Sequence, residues 1–284
     1  MPGAGNSIPA PGDYDHSGKT ELAVYVPSAG ALYYRPANGG ADVVVPFGTP
    51  GAGNSSPAPG DYFGTGQTDV AVYLPSMGVF AVRNPVSGLD SYVPFGTPGA
   101  GGSIPTPGDY DGSGVTEISV YIPQIGSFAY RPVNGSGDRI IPFGMPGQGN
   151  SIPMPADYTG SGKTELAVYL PTLGDFAFRP ASGGPDIMVP FGIAGAGQTL
   201  PSPGDYAGSG HAELAAYIPQ FGIFAVRDTA QSEDMVRFLG LPGMGNSIPV
   251  TVVDEALAQM TPTVSGLSIE IPDLASGKKK HGAH

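Results

Sequence analysis

The chain has 284 residues, a net charge of −12, 13% charged residues and no cysteine. That length accommodates one large all-β domain or two ordinary ones. Without cysteine there is no disulfide framework, zinc–thiolate site or cysteine nucleophile, and the acidic balance sets nucleic acid and anionic lipid aside as partners.

Glycine (46) and proline (32) exceed a quarter of the chain, yet 40% of residues are hydrophobic and arrive in short β-branched and aromatic clusters. Many short strands joined by tight turns have this composition. No apolar stretch reaches membrane-spanning length, so membrane insertion is not expected. The opening MPGAGNSIPAPG lacks the basic region and apolar core of a signal peptide. Its phrase PGAGNSIP returns as PGMGNSIP at 242–249, where a repeat closes. Met1 is therefore read as an added start, and the chain as the C-terminal part of a longer exported protein.

The first repeat sets the pattern. SIPAPGDY (7–14) is a proline-interrupted strand, TELAVYVP (20–27) an apolar one, ALYYRP (31–36) an aromatic one and DVVVPFG (42–48) a valine run. Turn-forming PSAG and ANGG separate the later three. The unit then restarts every 48 residues without insertion, at Asp13, Asp61, Asp109, Asp157 and Asp205. The repeats occupy about 6–53, 54–101, 102–149, 150–197 and 198–245, within a domain spanning 1–249. Four strands per 48 residues is the size of a propeller blade. The fold expected is all-β, a five-bladed β-propeller built from 48-residue four-stranded repeats, with the last blade meeting the first.

Beyond the fifth repeat the frame lapses. Segment 246–252 is a spare first strand that replaces 6–12, lies outside the ring or begins a degenerate sixth blade. Residues 250–284 form a C-terminal extension: DEALAQM (254–260) suits a short helix, SGLSIEIP (265–272) echoes a strand, and the basic end SGKKKHGAH (276–284) is expected to be disordered.

Three series keep the same period. Arg35, Arg83, Arg131, Arg179 and Arg227 each precede an aspartate by seven residues, at Asp42, Asp90, Asp138, Asp186 and Asp234. A hairpin between them sets the two side chains opposite each other, which reads as a structural ion pair in every blade; a ring of arginines binding anionic sugars is the competing reading. Tyr14 and Tyr25 recur in all five repeats, while Phe47 recurs as Phe95, Phe143 and Phe191 with Leu239 last. The leucine favours packing over stacking on a sugar.

The chemistry is concentrated in PGDYDHSGKTE (11–21) and its copy PGDYDGSGVTE (107–117). Oxygen-bearing side chains fall at alternate positions: Asp13, Asp15, Ser17 and Glu21, with the Lys19 carbonyl available, then Asp109, Asp111, Ser113 and Glu117. Hard Ca²⁺ takes six to eight oxygen ligands, and such a loop with water supplies them. In the other repeats the third position is Phe63, Thr159 or Ala207, and there the first aspartate is read as a turn cap.

The stretch PGDYDGSGVTEISVYIP (107–123) resembles the repeat of the FG-GAP and VCBS families, to which integrin alpha-chain propellers are related. The resemblance spans roughly 6–249. It implies a propeller blade per repeat, Ca²⁺ in the loop at the positions just named, and an extracellular or cell-surface setting. The four histidines assemble no triad or metal site, and the acids recur with the repeat rather than forming one special pair. The expected function is a non-enzymatic scaffold or adhesion platform. Its partners would be other surface proteins or polysaccharide, with self-association a further class. The alternative is a lectin-like propeller, against which stands the complete lack of tryptophan.

Overall fold

A computed structural model describes residues 7–228, 234–238, 240, 242 and 243. The extension beyond 243, with the spare strand, helix and tail expected there, lies outside the described residues. So does Leu239.

Blade 1 consists of β1 (Ile8–Pro9), β2 (Leu22–Val26), β3 (Ala31–Arg35) and β4 (Val43–Pro46), antiparallel and in sequence order across the sheet. Four further sheets repeat this meander, giving a five-bladed β-propeller. β1 is only two residues long because Pro9 and Pro11 remove ladder donors. It resumes as the isolated bridge Gly12↔Glu21, which recurs in all five blades. Gly30 makes the β2–β3 turn at φ +60°, and its Cβ would lie 2.9 Å from the Pro50 nitrogen, so glycine alone fits.

Each sheet has two faces. In blade 1 one side carries Ala23, Tyr25, Leu32 and Phe47, and these pack with Val72, Leu74 and Ala81 of blade 2. We call the first the trailing face of blade 1 and the second the leading face of blade 2. Blades 2 and 3, 3 and 4, and 4 and 5 meet in the same way, so the four apolar clusters are four seams. This is why a 48-residue unit needs neighbours: alone it would leave both faces wet.

Every seam carries a polar stitch at the acidic-loop end. Thr68 donates its N–H to the Asp13 carbonyl (2.8 Å), and its Oγ1 accepts the Asp13 N–H (2.9 Å). Thr116 does the same with Asp61, and Thr164 with Asp109. At the last seam Ala212 keeps only the backbone half, donating its N–H to the Asp157 carbonyl at 2.7 Å. A glycine precedes the aspartate in the first three seams because a Cβ on Gly12, Gly60 or Gly108 would stand 2.6 Å from the threonine methyl. The fourth seam has Ala156 instead and correspondingly lacks the threonine.

The guanidinium of Arg83 lies 4.7 Å over the Phe47 ring of the preceding blade, and Arg131, Arg179 and Arg227 repeat this on Phe95, Phe143 and Phe191. All five arginines also pair with their expected aspartates at 2.6–2.7 Å. Between blades 5 and 1, among the described residues, no stitch joins Asp205 to Thr20 and Leu22 on the leading face of blade 1 is 68% exposed; position 239, which corresponds to the ring under each stacked arginine, is a leucine outside the described residues.

Candidate metal-binding loops

The loop between β1 and β2 folds around its own acids. Asp13 accepts the N–H groups of Ser17 and Gly18, both at 2.8 Å, and Asp15 accepts the Ser17 N–H at 3.0 Å. Glu21 is 1% exposed and accepts the Tyr14 N–H at 2.6 Å. The Ser17 hydroxyl donates to Glu21 Oε1 at 3.2 Å and approaches the Lys19 carbonyl at 3.5 Å. The five expected ligands of blade 1 are thus brought together, and one oxygen from each of Asp13, Asp15 and Glu21 lies within 4.8 Å of the others. His16, at φ +58°, makes the sharp bend that copy 107–117 gives to Gly112.

Blade 3 repeats the arrangement with Asp109, Asp111 and Glu117. Asp109 accepts from Gly112, Ser113 and Gly114 at 2.7–2.9 Å, and Glu117 accepts the Tyr110 N–H at 2.5 Å. Here Ser113 Oγ accepts the Val115 N–H at 3.3 Å instead of bonding the glutamate. Three carboxylate oxygens among the described residues are buried without a hydrogen-bond partner: Asp15 Oδ2 and Glu117 Oε1 in these two loops, and Asp69 Oδ1 in blade 2, where no three-acid cluster surrounds it. An orphaned anionic oxygen is costly to bury and is what a cation would satisfy. Burial, together with Asp111 and Asp109, pushes the Glu117 carboxyl up to about 7, and burial likewise raises Glu21. Both loops therefore fit a hard cation by donor type and by unmet need.

The two loops differ in what reaches them from the next blade. Lys163 Nζ donates to the Asp111 carbonyl at 3.0 Å, so blade 3 already has a cation beside it. The equivalent residue at blade 1 is the neutral Gln67, which bonds the Tyr14 carbonyl. In blades 2, 4 and 5 the first aspartate caps its loop as expected: Asp61, Asp157 and Asp205 each accept two backbone N–H groups at 2.7–2.9 Å.

No family model matches the chain, and no curated protein matches it. Solved structures do. A streptogramin B lyase is similar at TM-score 0.55 and 12% identity, covering 85% of this chain and 71% of that one. Virginiamycin B lyase from Staphylococcus aureus gives 0.51 and 12%, over 80% and 69%. A lectin of Agrocybe aegerita, solved for its recognition of non-reducing terminal N-acetylglucosamine, gives 0.53 and 16%, over 85% and 68%. At these identities the likeness shows the fold alone. It nevertheless corrects one expectation. The chain was expected not to be an enzyme because its acids repeat as a scaffold's would. The same architecture carries lyases, so regular repetition is no ground for excluding catalysis.

Sequence reasoning missed two features. The last acid of each loop is a buried staple: Glu21, Asp69, Glu117, Glu165 and Glu213 are all 0–1% exposed, and each accepts the N–H of the tyrosine after the first aspartate. The seam residues Thr68, Thr116 and Thr164 were also overlooked. Their signal was present, since Thr20, Thr68, Thr116 and Thr164 keep the 48-residue period.

Proposed function

We propose that the chain is a surface-displayed repeat scaffold of FG-GAP/VCBS type, an adhesion platform for surface proteins or polysaccharide, with Ca²⁺ held in the loops of blades 1 and 3. The observation that carries this reading is the pair of three-carboxylate loops, each with a buried oxygen left unpartnered. Asp13, Asp15 and Glu21, with Ser17 and the Lys19 carbonyl, would hold one ion. Asp109, Asp111 and Glu117, with Ser113, would hold the other. Bound Ca²⁺ would supply the positive charge that these buried acids lack, coupling loop order to a metal that is abundant outside cells. The seams give the rigidity a platform needs, because each blade is fixed to the next by apolar packing, a backbone stitch and a stacked arginine.

Calorimetric titration of the apo protein with Ca²⁺ tests the metal. Two sites, one abolished by Asp13→Asn and the other by Asp109→Asn, support the reading. Absence of any heat at millimolar Ca²⁺ refutes it. A glycan array tests the platform: reproducible micromolar binding to one sugar would replace it with a lectin.

A further inference from the structure

We infer that Lys163 sets the metal affinity of the blade 3 loop: its ammonium is a built-in competitor of Ca²⁺, so the loops of blades 1 and 3 fill at different Ca²⁺ concentrations. This rests on the reading of both loops as Ca²⁺ sites and names the residue that ranks them. Their own side-chain ligands do not. Asp13, Asp15, Ser17 and Glu21 are matched in type and spacing by Asp109, Asp111, Ser113 and Glu117.

The difference arrives from the next blade. The residue just before each stitch position reaches back over the preceding loop. Gln67 bonds the Tyr14 carbonyl of blade 1. A Cβ at the bend glycines Gly64, Gly112 and Gly160 would stand 2.9 Å from Val115, 2.6 Å from Lys163 and 3.7 Å from His211. Thr164 fixes Lys163 in place, since its N–H and its Oγ1 both hold the Asp109 backbone, as Thr68 does for Gln67 at Asp13. The threonine stays constant in the first three seams while the covering residue changes, and its chemistry follows the loop beneath. Val115 covers the loop that has Phe63 in place of a middle acid.

Of the two three-acid loops, only that of blade 3 is covered by a charge. The half-buried Lys163 lays its stem across Gly112, with Cε 2.6 Å and Cγ 3.0 Å from where a Cβ would stand, and its ammonium donates to the Asp111 carbonyl at 3.0 Å. Glycine at the bend is what admits the stem; blade 1 has His16 there, under Gln67. The ammonium forms no ion pair with Asp109, Asp111 or Glu117, and Glu117 Oε1 keeps no partner, so the carboxylates stay available to a metal. That metal must bind against a fixed positive charge. Repulsion between a divalent ion and an ammonium at the separation of neighbouring side chains is worth about ten-fold in affinity even at a water-like dielectric. The neutral Gln67 imposes no such term. Lys19 belongs to the blade 1 loop but is exposed, and among the described residues its ammonium bonds no group of that loop.

Calorimetric titration of the full chain with Ca²⁺ reads the ranking in two backgrounds, Asp109→Asn for the blade 1 loop and Asp13→Asn for the blade 3 loop. At about 0.15 M salt the blade 3 loop should bind at least about ten-fold more weakly. Lys163→Met keeps the stem and removes the charge, and it should tighten the blade 3 loop about ten-fold. His16→Gly with Gln67→Lys moves the pair to blade 1 and should weaken that loop by a similar factor. Raising the salt to about 1 M should narrow the native difference, because a charge effect is screened and a packing effect is not. Equal affinities in the two backgrounds overturn the inference, and so does a Lys163→Met protein whose blade 3 affinity is unchanged; in both cases the Ca²⁺ sites themselves stand. Absence of heat from both loops overturns the Ca²⁺ reading and this ranking with it.

Discussion

Removing the charge from Glu117 tests the physics of the blade 3 loop most directly. Its carboxyl is pushed from an ordinary 4.5 to about 7, chiefly by burial. Below pH 4.5 the group is protonated in both folded and unfolded chains, and the stability it contributes is fully present. As pH rises through 7 the folded protein must ionise a buried acid, and that stability is lost. The interval converts to about 3 kcal/mol. Glu117→Gln keeps an oxygen for the Tyr110 N–H but has no charge to bury. In chelator at pH 8 the variant should therefore melt higher than the native chain, by roughly 6–12 °C at about 2–4 °C per kcal/mol, with the difference vanishing at pH 4. Asp69, raised to about 6 by burial, adds its own slope to both proteins and cancels from the comparison. Saturating Ca²⁺ should close the gap at pH 8 by stabilising only the native loop. Thermal melts followed by circular dichroism between pH 4 and 8 supply the data. Parallel pH profiles for the two proteins in chelator would refute the reasoning.

Three further outcomes are expected. Arg83→Ala removes a bidentate ion pair and a ring contact at a half-buried site and should cost about 1–2 kcal/mol in chemical denaturation, whereas Arg35→Ala, with no ring beneath it among the described residues, should leave the midpoint unchanged. Ala212→Thr alone should lower stability by about 1–3 kcal/mol because its methyl meets Ala156, while Ala156→Gly with Ala212→Thr should recover about 1 kcal/mol through the restored stitch to Asp157; melting temperatures of the three proteins check the order. Gly144→Ala places a Cβ 2.5 Å from the buried Tyr121 hydroxyl at φ +124° and should cost about 2–4 kcal/mol, well beyond Gly39→Ala, which meets open space.

Much of the fold was legible because the repeat wrote it five times. A fixed interval between identical residues located the blades, and alternating apolar runs located β2, β3 and β4 to within a residue or two. The Arg–Asp pairs were legible because a hairpin of known length sets their separation, and all five formed. The acidic loops were legible because their oxygens lie within one local segment. What stayed hidden depends on residues distant in sequence. Asp13 and Thr68 are 55 positions apart, and nothing local to a threonine before an acid says that its hydroxyl faces another blade. The burial of Glu21 was hidden for the same reason: a carboxylate in a glycine-rich loop reads as solvated until the tyrosine N–H that holds it is seen. Closure was expected from blade count alone.

The uniform spacing and the matched glycine and threonine at successive joints have a genetic consequence. Unequal recombination between two copies of the unit deletes or duplicates one whole blade, and each surviving junction still sets a compatible pair of surfaces together. Length can therefore drift between generations without a misfolded intermediate, whereas the Ala156–Ala212 junction, being mismatched to the rest, marks a boundary at which such an exchange would be penalised.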